Sequence, residues 1–395
     1  MKLSYLMPTR IVLDEDCLFE NRALLADMGN KAFIVTGRNS ARINGAYDDA
    51  VRALEANGQG HVLFDRVMSN PTELCVYEAA GECRKAGCDF VLAIGGGSPM
   101  DAAKAAAVLA LNDIPREKLF GRAFTKALPI AAVPTTAGTG SETTPYSVLV
   151  DTGSPDESRF PDGRGAAPGP AKRSVGSPLL FPRAAFLDAK YTFGLGRDNT
   201  VNTVIDALSH AVEGFLCVRA NYLSDVLAKE SIAMIMDCLD SLAAFPADPR
   251  SLSPAVREKL LLASSIAGMV ISQSGTSVVH SMGYMFTLNW GTDHGRANGL
   301  LMKSFLVWCR SHEEADPSIP KRIPALCSAL GMDLESFCGR LETLLGKRET
   351  AAAAEIETWG AMNMKNAANT YICPSQEEIR EMFRVSVSAS SSFRA

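Results

Sequence analysis

Phe90-Val91-Leu92-Ala93-Ile94-Gly95-Gly96-Gly97-Ser98-Pro99-Met100-Asp101 runs from five apolar residues through three glycines into a helical stretch, Ala102 to Leu111. An apolar run that short, closed by glycine, reads as a strand buried on both faces, which is the habit of parallel sheets covered by helices. The glycines let the backbone approach a ligand closely. Ser98 as N-cap, Pro99 at the first helical position and Asp101 at the third match the chemistry of a helix start. Strand, turn and helix N-terminus in succession present free N–H groups and a positive dipole end, which suit a pyrophosphate at the carboxyl edge of a sheet. The spacing is neither G-x-G-x-x-G nor a P-loop, and a bare glycine run also serves as a plain tight turn.

Outward from this stretch the pattern repeats. Strands are expected at Ile11 to Leu13, Lys31 to Thr36, His61 to Val67 and Pro129 to Val133, with helices at Ala46 to Asn57 and Thr72 to Ala86 between them. Such alternation predicts an α/β, dinucleotide-binding sheet domain over residues 1–197. A second ligand-facing loop, Pro134-Thr135-Thr136-Ala137-Gly138-Thr139-Gly140-Ser141-Glu142, crowds hydroxyls at a strand end, and the Pro/Gly/charge-rich stretch from Asp151 to Lys172 reads as a long mobile loop. From Asp198 the strand pattern stops. Helices at Val201 to Phe215, Leu223 to Ala243, Ala255 to Gly275 and Ala351 to Met362 predict an all-α domain over residues 198–395.

Composition narrows the class of function. The 395 residues carry a formal net charge of −5 with no block of like charge, which argues against nucleic acid and membrane surfaces as partners. Ten cysteines without C-x-x-C pairs fit reduced thiols, and neither a signal peptide nor an apolar run of about 20 residues is present, so a cytoplasmic protein is expected.

Asp206-Ala207-Leu208-Ser209-His210 sets a carboxylate and an imidazole four residues apart, hence on one helix face. His280 follows in a small-residue run and His294 in the turn-like Gly291-Thr292-Asp293-His294-Gly295. One carboxylate and three imidazoles form a mixed N/O set suited to Fe2+ or Zn2+ with an open position, although each residue alone also reads as structural. His61, His312, Trp290 and Trp308 read as structural.

These motifs together resemble the iron-containing (group III, metal-dependent) alcohol dehydrogenase family. The likeness rests on Pro8-Thr9-Arg10-Ile11-Val12, Asn70-Pro71-Thr72, G-G-G-S-x-x-D at Gly95 to Asp101, P-T-T-A-G-T-G-S-E at Pro134 to Glu142, D-A-L-S-H-A-V-E at Asp206 to Glu213, His280, and D-H-G-x-x-N-G at Asp293 to Gly299. The resemblance implies a dehydroquinate synthase-like fold with metal and nicotinamide in the cleft between an α/β and an all-helical domain. It implies Asp206, His210, His280 and His294 as metal ligands. Asn70 then lies near the adenosine ribose, Gly96, Gly97 and Ser98 at the pyrophosphate with Asp101 beside them, and Thr135, Thr136 and Thr139 toward the nicotinamide. Lys172 matches an active-site lysine. Tyr284 departs from the pattern, standing where many members carry a second histidine. A homodimer is the expected assembly. The alternatives are a glycerol dehydrogenase-like or dehydroquinate synthase-like relative, or a nucleotide-binding protein without turnover.

Two finer expectations follow. Gly37 leaves room after the strand at Val35-Thr36 and Arg38 can pair with a 2′-phosphate, so NADP(H) is expected over NAD(H). The substrate is expected to be a short aldehyde reduced to a primary alcohol. Its sharper form is an anionic aldehyde such as phosphonoacetaldehyde, held by Lys172 or Arg296 with Arg173 near.

Overall fold

The computed structural model describes residues 3–121, 124–152, 170–245, 248, 251–346, 356 and 366–387. Among the described residues eight strands form: β1 (Arg10–Leu13), β2 (Lys31–Gly37), β3 (Gly60–Val67), β4 (Phe90–Gly95), β5 (Ile130–Pro134), β6 (Tyr146–Asp151), β7 (Ala171–Gly176) and β8 (Ala184–Leu187). Six make a sheet in the order β1-β8-β5-β4-β2-β3, with every pair parallel. Burial on both faces explains the continuous apolar runs. Phe33, Val35, Val91, Ala93, Ile130 and Ala132 enter one core, while their strand neighbours Ala32, Ile34, Phe90, Leu92, Ala131 and Val133 enter the other. Helices Ala46–Ala56, Glu73–Ala86 and Gly97–Leu109 supply the two covering layers.

β3 lies to one side of β2 and β4 to the other, so the chain reverses its direction of sheet growth between β2 and β4. Thr36 pairs with Ile94, which brings Gly37 and Gly95 to the same carboxyl edge at that switch point. Ligands of open α/β sheets bind there.

β6 and β7 pair antiparallel as a separate ribbon with Val150 opposite Lys172. The loop expected over Asp151 to Lys172 is therefore bounded by strands, with Asp151 closing β6 and Ala171 and Lys172 opening β7. Lys172 belongs to a strand, which fixes the direction of its side chain. Residues 153–169 lie outside the described residues, as does the helix expected over 351–362 apart from Ile356.

The described elements from Arg197 onward are helices, packed around one extended apolar core. The helix expected at Leu223 to Ala243 is two helices, Tyr222–Asp237 and Leu239–Ala243, parted at Cys238. Among the described residues no single helix is long and apolar enough to cross a bilayer.

Candidate active site

Three helices bring the four expected donors together. Asp206 and His210 lie one turn apart on Arg197–Phe215, His280 is third in Val278–Trp290, and His294 opens His294–Ala315. Asp206 Oδ1 lies 3.7 Å from His280 Nε2 and 4.0 Å from His294 Nε2. The His210 ring stacks on His280 with centroids 4.5 Å apart, and donor atoms of Asp206, His210 and His280 lie within 4.8 Å of one another.

The surroundings call for a cation. Asn298 Nδ2 donates toward Asp206 Oδ1 at 3.1 Å and Ser209 Oγ at 3.4 Å, and stands 3.3 Å from both His280 Nε2 and His294 Nε2. An amide nitrogen has two hydrogens, so four acceptors exceed what it satisfies. Turning the amide over would set its oxygen against the same lone pairs. Burial holds His210 down at about 4 and His294 well below the ordinary imidazole value, which favours the neutral, ligating form. Burial acts the same way on His280, but the Glu213 and Asp206 carboxylates together outweigh it and raise that residue. This donor set fits one divalent metal with Asp206 supplying the only anionic oxygen among the four.

A cleft of about 1160 Å³ runs from these residues to the glycine turn, walled by Asn70, Gly97, Ser98, Asp101, Thr139, Lys172 and Tyr284 among others. The helix after the turn begins at Gly97 with Gly96 as its uncapped N-terminal residue. Ser98 is therefore not the N-cap that the sequence suggested, because the helix starts two residues earlier; its Oγ accepts from the Asn70 N–H at 3.2 Å. Asn70 itself has φ 55°, the left-handed region. A Cβ on Gly96 would stand 2.9 Å from Thr136 Oγ1, and one on Gly97 would stand 2.6 Å from Thr139 Cγ2. The two loops thus interlock with their backbones open toward the cleft, a cradle that fits a pyrophosphate. Thr135 is buried beneath, its N–H on the Gly95 carbonyl, and Gly37 and Arg38 sit at the β2 end outside the cleft walls.

Lys104, unremarked in the sequence, holds this arrangement. Its buried Nζ shares its three hydrogens among Ser141 O and Oγ, Thr144 O and Oγ1 and Tyr146 O at 2.6 to 3.1 Å, tying the second loop to the Gly97–Leu109 helix. Asp101 takes Ser141 Oγ–H at 3.0 Å, and burial pushes its carboxyl up to about 6 despite Lys104.

The four cations proposed or noted near substrate part company. Lys172 lies against the Tyr284 ring with Nζ 5.2 Å from its centroid, and Tyr284 stacks on His294. Burial brings Lys172 down to about 8, opposed by Asp206 and Asp101. Arg173, one residue along β7, pairs instead with Asp151 at 2.8 Å. Arg296 is a correction: its Nη1 donates to the Leu345 carbonyl at 2.5 Å and it is not among the cleft walls. His294 begins a helix, so a residue two positions on lies about 200° around it. Arg219 also lines the cleft, and nothing in the sequence pointed to it.

Residues 8–189 match the family described as iron-containing alcohol dehydrogenase, and residues 200–387 match the Fe-containing alcohol dehydrogenase family, C-terminal. Lactaldehyde reductase of Escherichia coli (strain K12) is 31% identical over 307 residues, covering 75% of this chain and 74% of that protein. The probable alcohol dehydrogenase EutG of the same strain is 36% identical over 263 residues, 66% of this chain and 61% of its own length. Sulfoacetaldehyde reductase of Bilophila wadsworthia (strain 3_1_6) is 31% identical over 271 residues, 68% and 65% respectively, so the chain spans less than two thirds of the length of these last two. A crystal structure of an iron containing alcohol dehydrogenase matches with a TM-score of 0.85 at 34% identity, covering 99% of this chain and 100% of the other. The iron-containing alcohol dehydrogenase of Thermotoga maritima matches at 0.83 and 34%, covering 97% and 99%. By these matches and by the fold that carries its motifs, this chain belongs to the iron-containing alcohol dehydrogenase family.

Proposed function

We propose that this protein is a metal-dependent aldehyde reductase that converts a short aldehyde to its primary alcohol with NADP(H) in preference to NAD(H), one Fe2+ or Zn2+ being held by Asp206, His210, His280 and His294. The observation that carries this is the convergence of those donors on one end of a cleft whose other end is the glycine cradle. The ion, when bound, supplies Lewis-acid polarisation of a substrate oxygen, and hydride chemistry belongs to the nicotinamide. The chain does the rest. Gly96, Gly97 and the first turn of the following helix bind pyrophosphate, Thr136 and Thr139 border the nicotinamide side, and Lys172 holds the far end of the substrate. Arg38, exposed beside Gly37 with no acid following the strand, supports the 2′-phosphate preference. The proposed division at residues 197 and 198 assigns the nucleotide loops to one domain and all four ligands to the other. The proposed assembly is a homodimer, and the proposed setting is the cytoplasm, which ten free cysteines support.

Lys172 gives the sharper substrate: an aldehyde with an anionic far end, of which phosphonoacetaldehyde is the example. The relative that reduces sulfoacetaldehyde by its name is consistent with this choice. The test compares a neutral and an anionic aldehyde of equal length, with NADPH and NADH, in wild type and Lys172→Ala. A charge-assisted contact predicts roughly a tenfold or larger kcat/KM advantage for the anion at pH 7, absent in Lys172→Ala. Because burial brings Lys172 down to about 8, the ammonium is charged below that pH and neutral above it, so the advantage fades as pH rises from 7 to 9. Equal rates for the two aldehydes would remove the anionic substrate, and NADH matching NADPH would remove the cofactor preference.

A further inference from the structure

Glu213 lies one turn beyond His210 on the helix that carries Asp206, and its side chain is fully buried. A buried carboxylate without partners would be expensive, and this one has four. Its Oε1 meets His280 Nδ1, and its Oε2 accepts the Ser277 hydroxyl, the Ser277 N–H at 2.8 Å and the His280 N–H at 3.4 Å. Both oxygens are thereby committed to one short segment, the entry to the His280 helix. His294 Nδ1, by contrast, is buried with no hydrogen-bond partner, and His210 faces only the Gly138 backbone. Of the three imidazoles, His280 is the one with a carboxylate behind it.

We infer that Glu213 is a positioning residue for the metal site: it fixes His280 as the Nδ1–H tautomer, aims Nε2 at the ion, and makes His280 the most strongly donating of the three imidazoles. The inference rests on the metal set proposed above and adds a residue that touches neither metal nor substrate. A carboxylate behind a ligating histidine raises the basicity of the ring and fixes its orientation, and loss of such a partner typically lowers metal affinity by about 10- to 100-fold. The same Glu213 oxygens hold Ser277 and the His280 backbone, so helix position and ring tautomer are set by one side chain.

The experiment is metal competition against a chromophoric chelator, with Zn2+ and Co2+, on wild type, Glu213→Gln, His280→Ala and the double variant, beside kcat and KM. Glu213→Gln keeps the volume and one acceptor but loses the charge. Zn2+ affinity is expected to fall by roughly 10- to 100-fold, the visible bands of the Co2+ protein to shift, and kcat to fall while KM for the aldehyde holds. In the His280→Ala background the same change is expected to add little further loss, because Glu213 acts through that ring. Glu213→Gln with wild-type affinity and an unchanged Co2+ spectrum, or with an equal loss in both backgrounds, overturns the inference. Should Glu213→Gln not fold, nitrogen-15 histidine spectra of zinc-loaded wild type decide: a protonated Nδ1 on His280 supports the role, and a protonated Nε2 overturns it. Wild type that retains no metal at all defeats the metal reading itself, an outcome distinct from metal held equally by both proteins.

Discussion

His294→Ala is expected to lower turnover by at least about a thousandfold, the loss of roughly 4 kcal/mol of transition-state stabilisation, and to leave a protein that surrenders its metal on dialysis. The choice of His294 over the other three donors matters. Asp206, His210 and His280 also border the cleft but are only 3%, 5% and 2% exposed, so truncating any of them disturbs close packing behind the site as well as the metal set. The His294 side chain is 23% exposed and faces the cleft. Its removal leaves a gap that water can enter. The variant is therefore expected to keep its helical content and its thermal midpoint in the metal-free state, which separates loss of the ion from loss of the fold. Metal content by elemental analysis, aldehyde reduction with NADPH and thermal unfolding make the measurement. Full activity in this variant would remove His294 from the metal set.

The parts of this site that sequence reveals are those where local periodicity and side-chain position coincide. Asp206 and His210 share a helix face at a spacing of four, and the same period extended one turn reaches Glu213. Glu213 closes the D-A-L-S-H-A-V-E motif, yet the sequence assigns it no role of its own, because a glutamate on a helix is ordinarily solvated and only its burial shows that it is not. Asn298 was hidden differently. Gly291 to Gly295 reads as a turn, so nothing indicated that His294 is the first residue of a helix and that a side chain four residues later shares its face. The same blind spot put Arg296 at the substrate, whereas helical geometry turns it toward Leu345. In the sheet, the continuous apolar runs of β2, β4 and β5 were legible because both faces are covered. The β6–β7 ribbon was not, since its two short, partly polar strands lie on either side of a stretch rich in proline and glycine. Lys104 could not be found by pattern at all: in an alanine-rich helix a lysine reads as a surface residue, and its role rests on five oxygens from elements 37 to 42 residues away.

Gly295→Ala is expected to damage the metal site more than any other one-methyl change in the chain's D-H-G motif. Gly295 has ordinary helical geometry, so backbone freedom does not explain it; close approach does. A Cβ there would overlap the Asn202 carbonyl oxygen and stand 2.8 Å from Asp206 Cβ. Both neighbours belong to the Asp206 helix, and the obstacles are backbone and a stem carbon that cannot swing away. The crossing is also pinned by Asn202 Nδ2, which donates to Asp293 at 2.8 Å. A methyl group therefore has to push apart the two helices that carry Asp206 and His294. Overpacking of this kind costs about 1 to 3 kcal/mol and sometimes more, and the displacement falls on two of the four donors at once. Gly291 provides the contrast within the same turn. It has φ 67° with nothing within 4 Å of its Cβ position, so Gly291→Ala costs about 1 to 2 kcal/mol of backbone strain and moves no helix. Thermal unfolding of the metal-free proteins is expected to show both variants destabilised, while zinc competition titration is expected to show weakened binding for Gly295→Ala alone. Equal zinc affinity in the two variants would mean that the separation of these helices does not set the donor geometry, and the close crossing would then be a matter of packing only.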